Sequence, residues 1–206
     1  SYYSVPTEDI LAEVAACLAE GAKEIVLVGQ DTAIWQSGEH NLIDLLGLIS
    51  ADPRLQRLRL MYLQPEHVSD ELLQYIAGQP KMCRYLDLPL QHADADVLKR
   101  MARWGSDAEY KKLIARARYL MPDVTLRSAF IVGFPGETDE SFERLLDFVD
   151  EVGFDYAGGF LYSPEEGTQA AQLWPRVPHC VALERLNRLT ALLAEGAERL
   201  HASLIG

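Results

Sequence analysis

The sequence Leu126-Arg-Ser-Ala-Phe-Ile-Val-Gly-Phe-Pro-Gly-Glu-Thr138 contains a strand, a glycine-rich corner and the start of a helix. Residues 125–134 are rich in β-branched and aromatic side chains, which is typical of a buried strand. The corner Gly133-Phe-Pro-Gly136 ends that strand, and the acidic residues that follow favour a helix N-terminus. Two glycines at such a corner allow a ligand to approach the backbone closely, although they could equally serve the turn geometry alone.

The same alternation of strand and helix runs along the whole chain. We predict strands over residues 23–28, 58–63, 85–90, 125–134 and 156–162. We predict helices over residues 7–20, 41–50, 69–77, 94–103, 106–120, 139–152 and 181–203, with Thr7 as the N-cap of the first. Strands that alternate with helices through short loops are parallel and have right-handed crossovers. The leading helix suggests one further strand upstream, which would give six βα units, in either a partial barrel or an open sheet.

Composition and charge indicate which kinds of partner and site this chain lacks. The net charge is −12 and no segment concentrates Lys and Arg, so we do not expect this chain to bind nucleic acid. No apolar run approaches the roughly 18 residues of a membrane span, and no signal peptide is present, so we expect a cytoplasmic protein. Cys17, Cys83 and Cys180 are too far apart in sequence to suggest a zinc site or a cluster loop.

Polar residues follow the predicted strands where each strand ends. Because the carboxyl ends of parallel strands meet at one edge, we expect these residues to converge on a ligand. They are Gln30, Asp31 and Thr32; Gln64; Gln91 and His92; Gly133 to Glu137; and Tyr162 and Ser163. Asp31 and Ser163 could instead satisfy loop amides, and His92 is better read as a hydrogen-bonded loop residue than as a metal ligand.

The central strand carries Arg127 and Ser128 side by side. Since side chains alternate along a strand, one of the two points inward. A buried Arg requires an anionic partner, which could be the carboxylate of a ligand or a structural salt bridge.

Four stretches together resemble the radical S-adenosylmethionine methylthiotransferase family. They are Val28-Gly-Gln-Asp-Thr32, Leu86-Asp-Leu-Pro-Leu-Gln-His-Ala93, Leu126 to Thr138, and Tyr162-Ser-Pro-Glu-Glu-Gly-Thr168. The stretches Leu90-Gln-His-Ala93 and Ser163 to Thr168 are most similar to the RimO branch, which methylthiolates an aspartate of a small-subunit ribosomal protein. The alternative is the MiaB branch, which acts on an adenosine in transfer RNA.

The resemblance implies an α/β fold, a partial (β/α)6 TIM-like barrel of the radical S-adenosylmethionine type. This chain would be a single truncated core domain over residues 1–206, without the first strand and its cluster-binding CxxxCxxC loop. It implies an upstream domain with a second 4Fe-4S cluster and a downstream TRAM-like domain joined near Ile205-Gly206. Because no cysteine of this chain occupies a ligand position, we expect the chain alone to be inactive and to bind S-adenosylmethionine weakly.

The resemblance also implies roles for individual residues. The expected cofactor-binding residues, around S-adenosylmethionine, are Gln30, Asp31, Gln91, His92, Arg127, Ser128, Ile131, Gly133, Gly136 and Glu137. Gln30 and Asp31 would lie near the methionine portion, Gln91 and Arg127 near ribose and carboxylate, and residues 131–133 along the adenine. Glu137 would help to fix the turn, and Tyr162 and Ser163 would face the substrate. An electron donor protein is a further expected partner.

Two hypotheses from other classes compete with this one. A non-radical barrel enzyme could use Asp31, His92 and Glu166 in acid–base catalysis, which requires two of them within hydrogen-bond reach of one cavity. A non-catalytic module could instead dock a basic protein through its acidic surface.

Overall fold

The computed structural model describes residues 3–204, apart from the side chains of residues 200, 201, 203 and 204. Its helices are α1 (Thr7–Ala19), α2 (Leu42–Ser50), α3 (Asp70–Gly78), α4 (Ala95–Arg100), α5 (Asp107–Leu120), α6 (Asp139–Val152) and α7 (His179–Leu204). Its strands are β1 (Glu24–Leu27), β2 (Gln36–Ser37), β3 (His40–Asn41), β4 (Arg57–Leu60), β5 (Tyr85–Gln91), β6 (Thr125–Val132) and β7 (Tyr156–Leu161). The five predicted strands and seven predicted helices are confirmed, with ends that differ by a few residues.

The chain divides into two compact units. The first comprises residues 1–87 and 117–124, and the second comprises residues 88–116 and 125–206. The chain passes from one to the other within β5, within α5 and before β6, so each unit is built from two segments. The predicted junction at Ile205-Gly206 lies outside the described residues, and so do Ser1 and Tyr2.

In the first unit, β1 and β4 form a parallel pair with Glu24 opposite Arg57 and Leu27 opposite Leu60. Helices α1, α2 and α3 cover the apolar side chains of this unit. Their shared core consists of fully buried residues, among them Leu45, Leu46, Ile49, Leu58, Leu60, Leu63, Leu73 and Ile76. Burying a Leu or Ile side chain contributes about 1.5–3 kcal/mol, so this cluster contributes strongly to the stability of the unit.

A short hairpin in the first unit was not predicted. Strands β2 and β3 pair antiparallel over two residues each, around Gly38, whose φ of +59° suits a tight turn. Two-residue strands are too short to show an alternating apolar pattern, so the sequence carried no periodic signal for them.

The prediction that Thr7 caps α1 is wrong. Pro6 occupies the N-cap position without a side-chain bond, and Thr7 is the first helical residue. Ser37 of the hairpin accepts a hydrogen bond from the Thr7 amide at 3.3 Å, and His40 Nδ1 lies 3.2 Å from the Thr7 hydroxyl. The free amide of the helix end is therefore satisfied from a segment 30 residues away in sequence, which no local capping rule could predict.

The second unit holds a three-stranded sheet in the order β5-β6-β7, with β6 and β7 parallel. Its core is aromatic: the ring of Phe130 lies 5.4 Å from that of Phe154 and 6.4 Å from that of Phe148, and Tyr110 joins the same cluster. Helix α6 begins with a capping box between Thr138 and Ser141. Among the described residues, no helix is both long and apolar enough to cross a membrane.

Candidate functional site

Strand β6 has one buried and one partly exposed face. Leu126, Ser128, Phe130 and Val132 are buried, whereas Arg127, Ala129 and Ile131 are half-buried. Since the Phe130 ring meets Phe148 of α6 edge to face, the buried face looks toward the helices. Of the two neighbours at positions 127 and 128, Ser128 is thus the buried one, 4% exposed, and Arg127 lies on the opposite face.

The half-buried residues of β6 are in register with residues of β7. Arg127 lies opposite Tyr156, Ala129 opposite Gly158, and Ile131 opposite Phe160. We refer to these six residues as the open face of the second unit. Tyr156 and Phe160 are 56% and 57% exposed, so the open face offers one apolar end and one end with a guanidinium. The centre holds the small residues Ala129 and Gly158, and the Phe160 ring lies over Gly158. Such a surface suits a ligand with a flat apolar ring and a charged group.

Ser128 is not part of the open face. Its hydroxyl donates to the backbone oxygen of Leu88 at 2.8 Å, across to β5. This bond satisfies the buried hydroxyl within the sheet, and the prediction that Ser128 contacts a cofactor has no support from this placement.

The corner after β6 is fixed by Glu137. One carboxylate oxygen accepts a hydrogen bond from the Gly133 amide at 3.0 Å, and the other accepts one from Arg185 of α7 at 2.7 Å. The Glu137 side chain is fully buried and that of Arg185 is 7% exposed. Glu137 therefore does fix the turn, as predicted, whereas Arg185 has no distinguishing signal in the amphipathic pattern of α7.

The two glycines of this corner are explained by packing. Gly133 has a φ of +79°, and a Cβ there would lie 2.5 Å from the Cβ of Ala182. Gly136 has a φ of +90°, and a Cβ there would lie 2.7 Å from the guanidinium carbon of Arg100. At Gly133 both the packing and the φ exclude a larger residue, whereas at Gly136 the φ is the main obstacle because the Arg100 side chain can move. The contact of either glycine with a cofactor stays a prediction.

The carboxyl end of β5 holds a residue with a strained backbone, Gln91, next to a fully buried one, His92. Gln91 has a φ of +68°, a left-handed conformation that costs a non-glycine residue about 1–2 kcal/mol and that occurs often at functional sites. His92 is fully buried, its Nδ1 accepts a hydrogen bond from the Asp94 amide at 3.0 Å, and its Nε2 lies 3.6 Å from Glu137. His92 is thus a hydrogen-bonded loop residue, and no group of metal-binding side chains was found among the described residues.

Asp94 caps α4 and shows how strongly this loop is hydrogen-bonded. Burial acts to raise the pKa of Asp94, but hydrogen bonds from the Val97 amide and Arg144 outweigh it and leave that pKa below its ordinary value. The carboxylate is therefore held in its charged form at neutral pH.

Gln30 and Asp31 belong to the first unit. Gln30 is exposed, whereas Asp31 accepts hydrogen bonds from the amides of Ala33 and Gln64, both at 3.2 Å. The second carboxylate oxygen of Asp31 lies 2.5 Å from His67 Nδ1. Asp31 thus closes an Asx turn, which was the structural alternative for this residue, and its contact with a cofactor stays a prediction.

The end of β7 carries Tyr162 and Ser163. The ring of Tyr162 packs edge-on against Phe134 at 4.8 Å, and Ser163 is exposed. Glu166, in the loop that follows, is also exposed, whereas His92 has no exposed surface. These two members of the acid–base hypothesis therefore do not face one cavity.

All predicted site residues except Gln30 and Asp31 fall in the second unit. There the ends of β5, β6 and β7 are neighbours in one sheet, as the parallel arrangement predicted. Sequence reasoning missed His67 and Arg185, because each acts through a partner that is distant in sequence.

The sequence matches the model of the Radical SAM superfamily over residues 1–149. It is 41% identical over 208 residues to the ribosomal protein uS12 methylthiotransferase RimO of Carboxydothermus hydrogenoformans, a match that covers 100% of this chain and 48% of that protein. It is 44% identical over 191 residues to the RimO of Moorella thermoacetica, covering 91% of this chain and 44% of that protein. The chain thus spans about half the length of these relatives.

The fold also resembles solved structures. Coproporphyrinogen III oxidase HemN from Escherichia coli, a radical SAM enzyme, superposes with a TM-score of 0.64 at 15% identity, over 92% of this chain and 46% of that one. At this identity the likeness concerns the fold alone, and it confirms the predicted α/β fold class.

Proposed function

Because the chain belongs to the radical SAM superfamily, we propose that it is the core of a methylthiotransferase that acts on ribosomal protein uS12. The observation that carries the proposal is the identity of 41–44% to RimO proteins over nearly the whole chain. The acceptor would be an aspartate side chain, whose β-carbon gains a methylthio group. The names of these relatives favour a ribosomal protein over transfer RNA as the substrate.

The open face is compatible with S-adenosylmethionine. Its apolar end at Ile131 and Phe160 offers a surface for the adenine, and the guanidinium of Arg127 offers a charge-assisted bond to a carboxylate. When bound, S-adenosylmethionine supplies the methyl group and the means of removing a hydrogen from the acceptor carbon.

Within the second unit, the protein's own residues would orient this ligand. Glu137 and Arg185 hold the Gly133 corner in one conformation, so the backbone beside the adenine would need no rearrangement on binding. Gln91, at the end of the neighbouring strand, would offer its amide to the ribose.

The chain does not itself fit an iron–sulfur cluster. A 4Fe-4S cluster needs cysteine thiolates close together, and Cys17, Cys83 and Cys180 are widely separated in sequence. The two that lie in the first unit, Cys17 and Cys83, are not part of any metal-binding group among the described residues. Cluster ligands and an electron donor protein would therefore belong to other parts of the system.

The proposal is tested with the full-length protein that contains this chain, reconstituted anaerobically with iron and sulfide and supplied with a reductant. We expect it to convert uS12 into a product heavier by one methylthio group in place of one hydrogen, located on an aspartate by peptide mass spectrometry. The 206-residue chain alone should give no product. A full-length protein that modifies transfer RNA and leaves uS12 unchanged would contradict the proposal.

A further inference from the structure

A small cavity lies at the carboxyl ends of β6 and β7, under the segment that leads into α7. It encloses about 180 Å³ and is lined on its polar side by Tyr162, Arg176 and His179. Gly133 and Ala182 form part of its apolar wall, and no Asp or Glu lines it. Sites for drug-sized ligands measure roughly 300–1,000 Å³, so this cavity suits a single side chain rather than a nucleoside.

The hydroxyl of Tyr162 is buried without a hydrogen-bond partner among the described residues. Its ring is held edge-on against Phe134 at 4.8 Å, so the hydroxyl cannot easily turn toward solvent. A buried polar group without a partner costs about 1–3 kcal/mol, and such groups are rare in native proteins. The hydroxyl therefore leaves a donor available to a ligand that accepts a hydrogen bond.

The other two polar groups of the cavity are also donors. Arg176 uses one Nη2 hydrogen in a 2.8 Å bond to the backbone oxygen of Ala171, and its guanidinium packs 5.4 Å from the Trp174 ring. Both residues are exposed, and these contacts leave most of the five N–H groups of the guanidinium for another partner. The His179 side chain makes no hydrogen bond or ion pair with the residues that the structure describes, and it too can donate.

We propose that this cavity binds the carboxylate of the acceptor aspartate in the substrate protein. Three donors, one of them permanently cationic, with no acidic residue in the lining, match a carboxylate in charge and hydrogen-bonding capacity. Gly133 lines the cavity and directly follows β6, the strand that carries Arg127, Ala129 and Ile131 of the open face, so a carboxylate held here would lie at the carboxyl end of that same strand. The inference rests on the proposed function and adds the group that selects aspartate.

The test measures the affinity of the full-length, cluster-loaded protein for fluorescently labelled uS12 by anisotropy. Two ligands are compared, uS12 with its acceptor aspartate and uS12 with that residue changed to asparagine. The wild-type protein should prefer the aspartate form about tenfold, which corresponds to about 1.4 kcal/mol. Tyr162→Phe and Arg176→Gln should each bind the aspartate form several-fold more weakly and the asparagine form unchanged, so that the preference disappears.

Tyr119→Phe and Arg188→Gln are the matched controls, because Tyr119 is 78% exposed and Arg188 lies on an exposed surface of α7. Both should keep the full preference for aspartate. A wild-type protein that methylthiolates uS12, with a preference for aspartate that survives in Tyr162→Phe and Arg176→Gln, would overturn the inference and leave the proposed function standing. The inference would also be overturned if Tyr162→Phe and Arg176→Gln bound both forms of uS12 equally weakly. The same holds if an RNA oligonucleotide displaced uS12 only from proteins that keep Arg176. A wild-type protein inactive on uS12 would instead refute the proposed function.

Discussion

At the scale of single residues, the buried ion pair between Glu137 and Arg185 is the most consequential interaction of the second unit. The Glu137 side chain is fully buried and holds the Gly133 amide, while Arg185 also bonds Asp139 at 2.6 Å. Removing one partner of such a pair leaves a buried charge uncompensated, which costs about 3–5 kcal/mol. We therefore expect Arg185→Met to lower the free energy of unfolding of the chain by that amount, measured by urea denaturation.

A neighbouring pair supplies the control for this prediction. Arg188 sits one turn further along α7 and bonds both carboxylate oxygens of Glu143, but the two side chains are 46% and 52% exposed. Exposed pairs contribute about 0–1 kcal/mol, so Arg188→Met should have little effect. The double variant Glu137→Gln/Arg185→Met should recover part of the lost stability. Equal losses in Arg185→Met and Arg188→Met would show that burial does not govern these pairs.

A comparison of the predicted and observed contacts of individual residues shows which site features can be predicted from the sequence. Glu137 acts four positions from Gly133, so its role in the turn could be read from local sequence. Its second partner, Arg185, is 48 positions away, and the contact between them depends on how α7 packs. In the same way the partner of Asp31 is His67, 36 positions distant. Polar residues at strand ends were thus predictable, but the bonds that already occupy them were not.

At the scale of secondary-structure elements, the β6–α6 corner depends on close packing against α7. Gly133→Ala would place a methyl group 2.5 Å from the Cβ of Ala182 and would also force a left-handed φ on alanine. We expect a loss of about 3 kcal/mol in the free energy of unfolding, because overpacking and backbone strain add. Gly153→Ala is the control, since its φ is +60° but nothing lies within 4 Å of the added carbon, so it should cost only about 1 kcal/mol.

A second substitution separates overpacking from backbone strain. In Gly133→Ala/Ala182→Gly the two methyl groups no longer collide, so the double variant should lose less stability than the sum of the single variants by at least about 1 kcal/mol. If the losses in free energy of unfolding, measured by urea denaturation, were strictly additive, α7 and the corner would not be in the close contact that the structure shows.

Strands β1 and β4 are joined by a charged bridge whose strength depends on pH. Glu24 accepts hydrogen bonds from the Nε atoms of Arg57 and Arg59 at 2.7 and 2.8 Å. The bond from Arg59, followed by that from Arg57, lowers the pKa of Glu24 below its ordinary 4.5. Its stabilising contribution is therefore complete above pH 4.5 and is lost as the pH falls through the lower, folded-state pKa.

Glu24→Gln should accordingly destabilise the chain by about 1 kcal/mol at neutral pH and by almost nothing well below pH 4.5. Denaturation of both proteins across this range measures the difference. In an Arg59→Gln background the same substitution should matter less, because the main partner of the carboxylate is gone. A difference that stays constant with pH would rule out the bridge as its source.

The elements themselves were largely predictable, for a physical reason. The long strands and helices each present a continuous apolar pattern, and α6 also carries a local capping box, so their sequences encode them without distant help. The β2–β3 hairpin was not predicted and the cap of α1 was predicted wrongly, because these two features stabilise one another. Ser37 and His40 of the hairpin bond Thr7 across 30 and 33 positions. The sequence alone does not reveal that the end of one element depends on contacts with another element.

At the scale of the whole molecule, the chain matches RimO proteins along nearly its entire length yet covers less than half of theirs. The open face and the cavity at the ends of β6 and β7 carry the contacts that we propose for a nucleoside and a carboxylate. The thiolates that a cluster needs are not arranged among the described residues. Recognition and reductive chemistry would thus reside in different parts of the full-length protein.

This separation predicts that the 206-residue chain binds S-adenosylmethionine more weakly than the full-length protein does. If a cluster held elsewhere in the full-length protein contributes to binding the ligand, the 206-residue chain would rely on the open face alone. We expect calorimetry to give a dissociation constant at least about tenfold higher for the chain than for the cluster-loaded full-length protein, since a difference of about 1.4 kcal/mol suffices for that ratio. Arg127→Gln should weaken the remaining binding further, whereas Arg188→Gln, on an exposed surface of α7, should not. Equal affinity in the chain and the full-length protein would mean that the open face alone accounts for the binding energy.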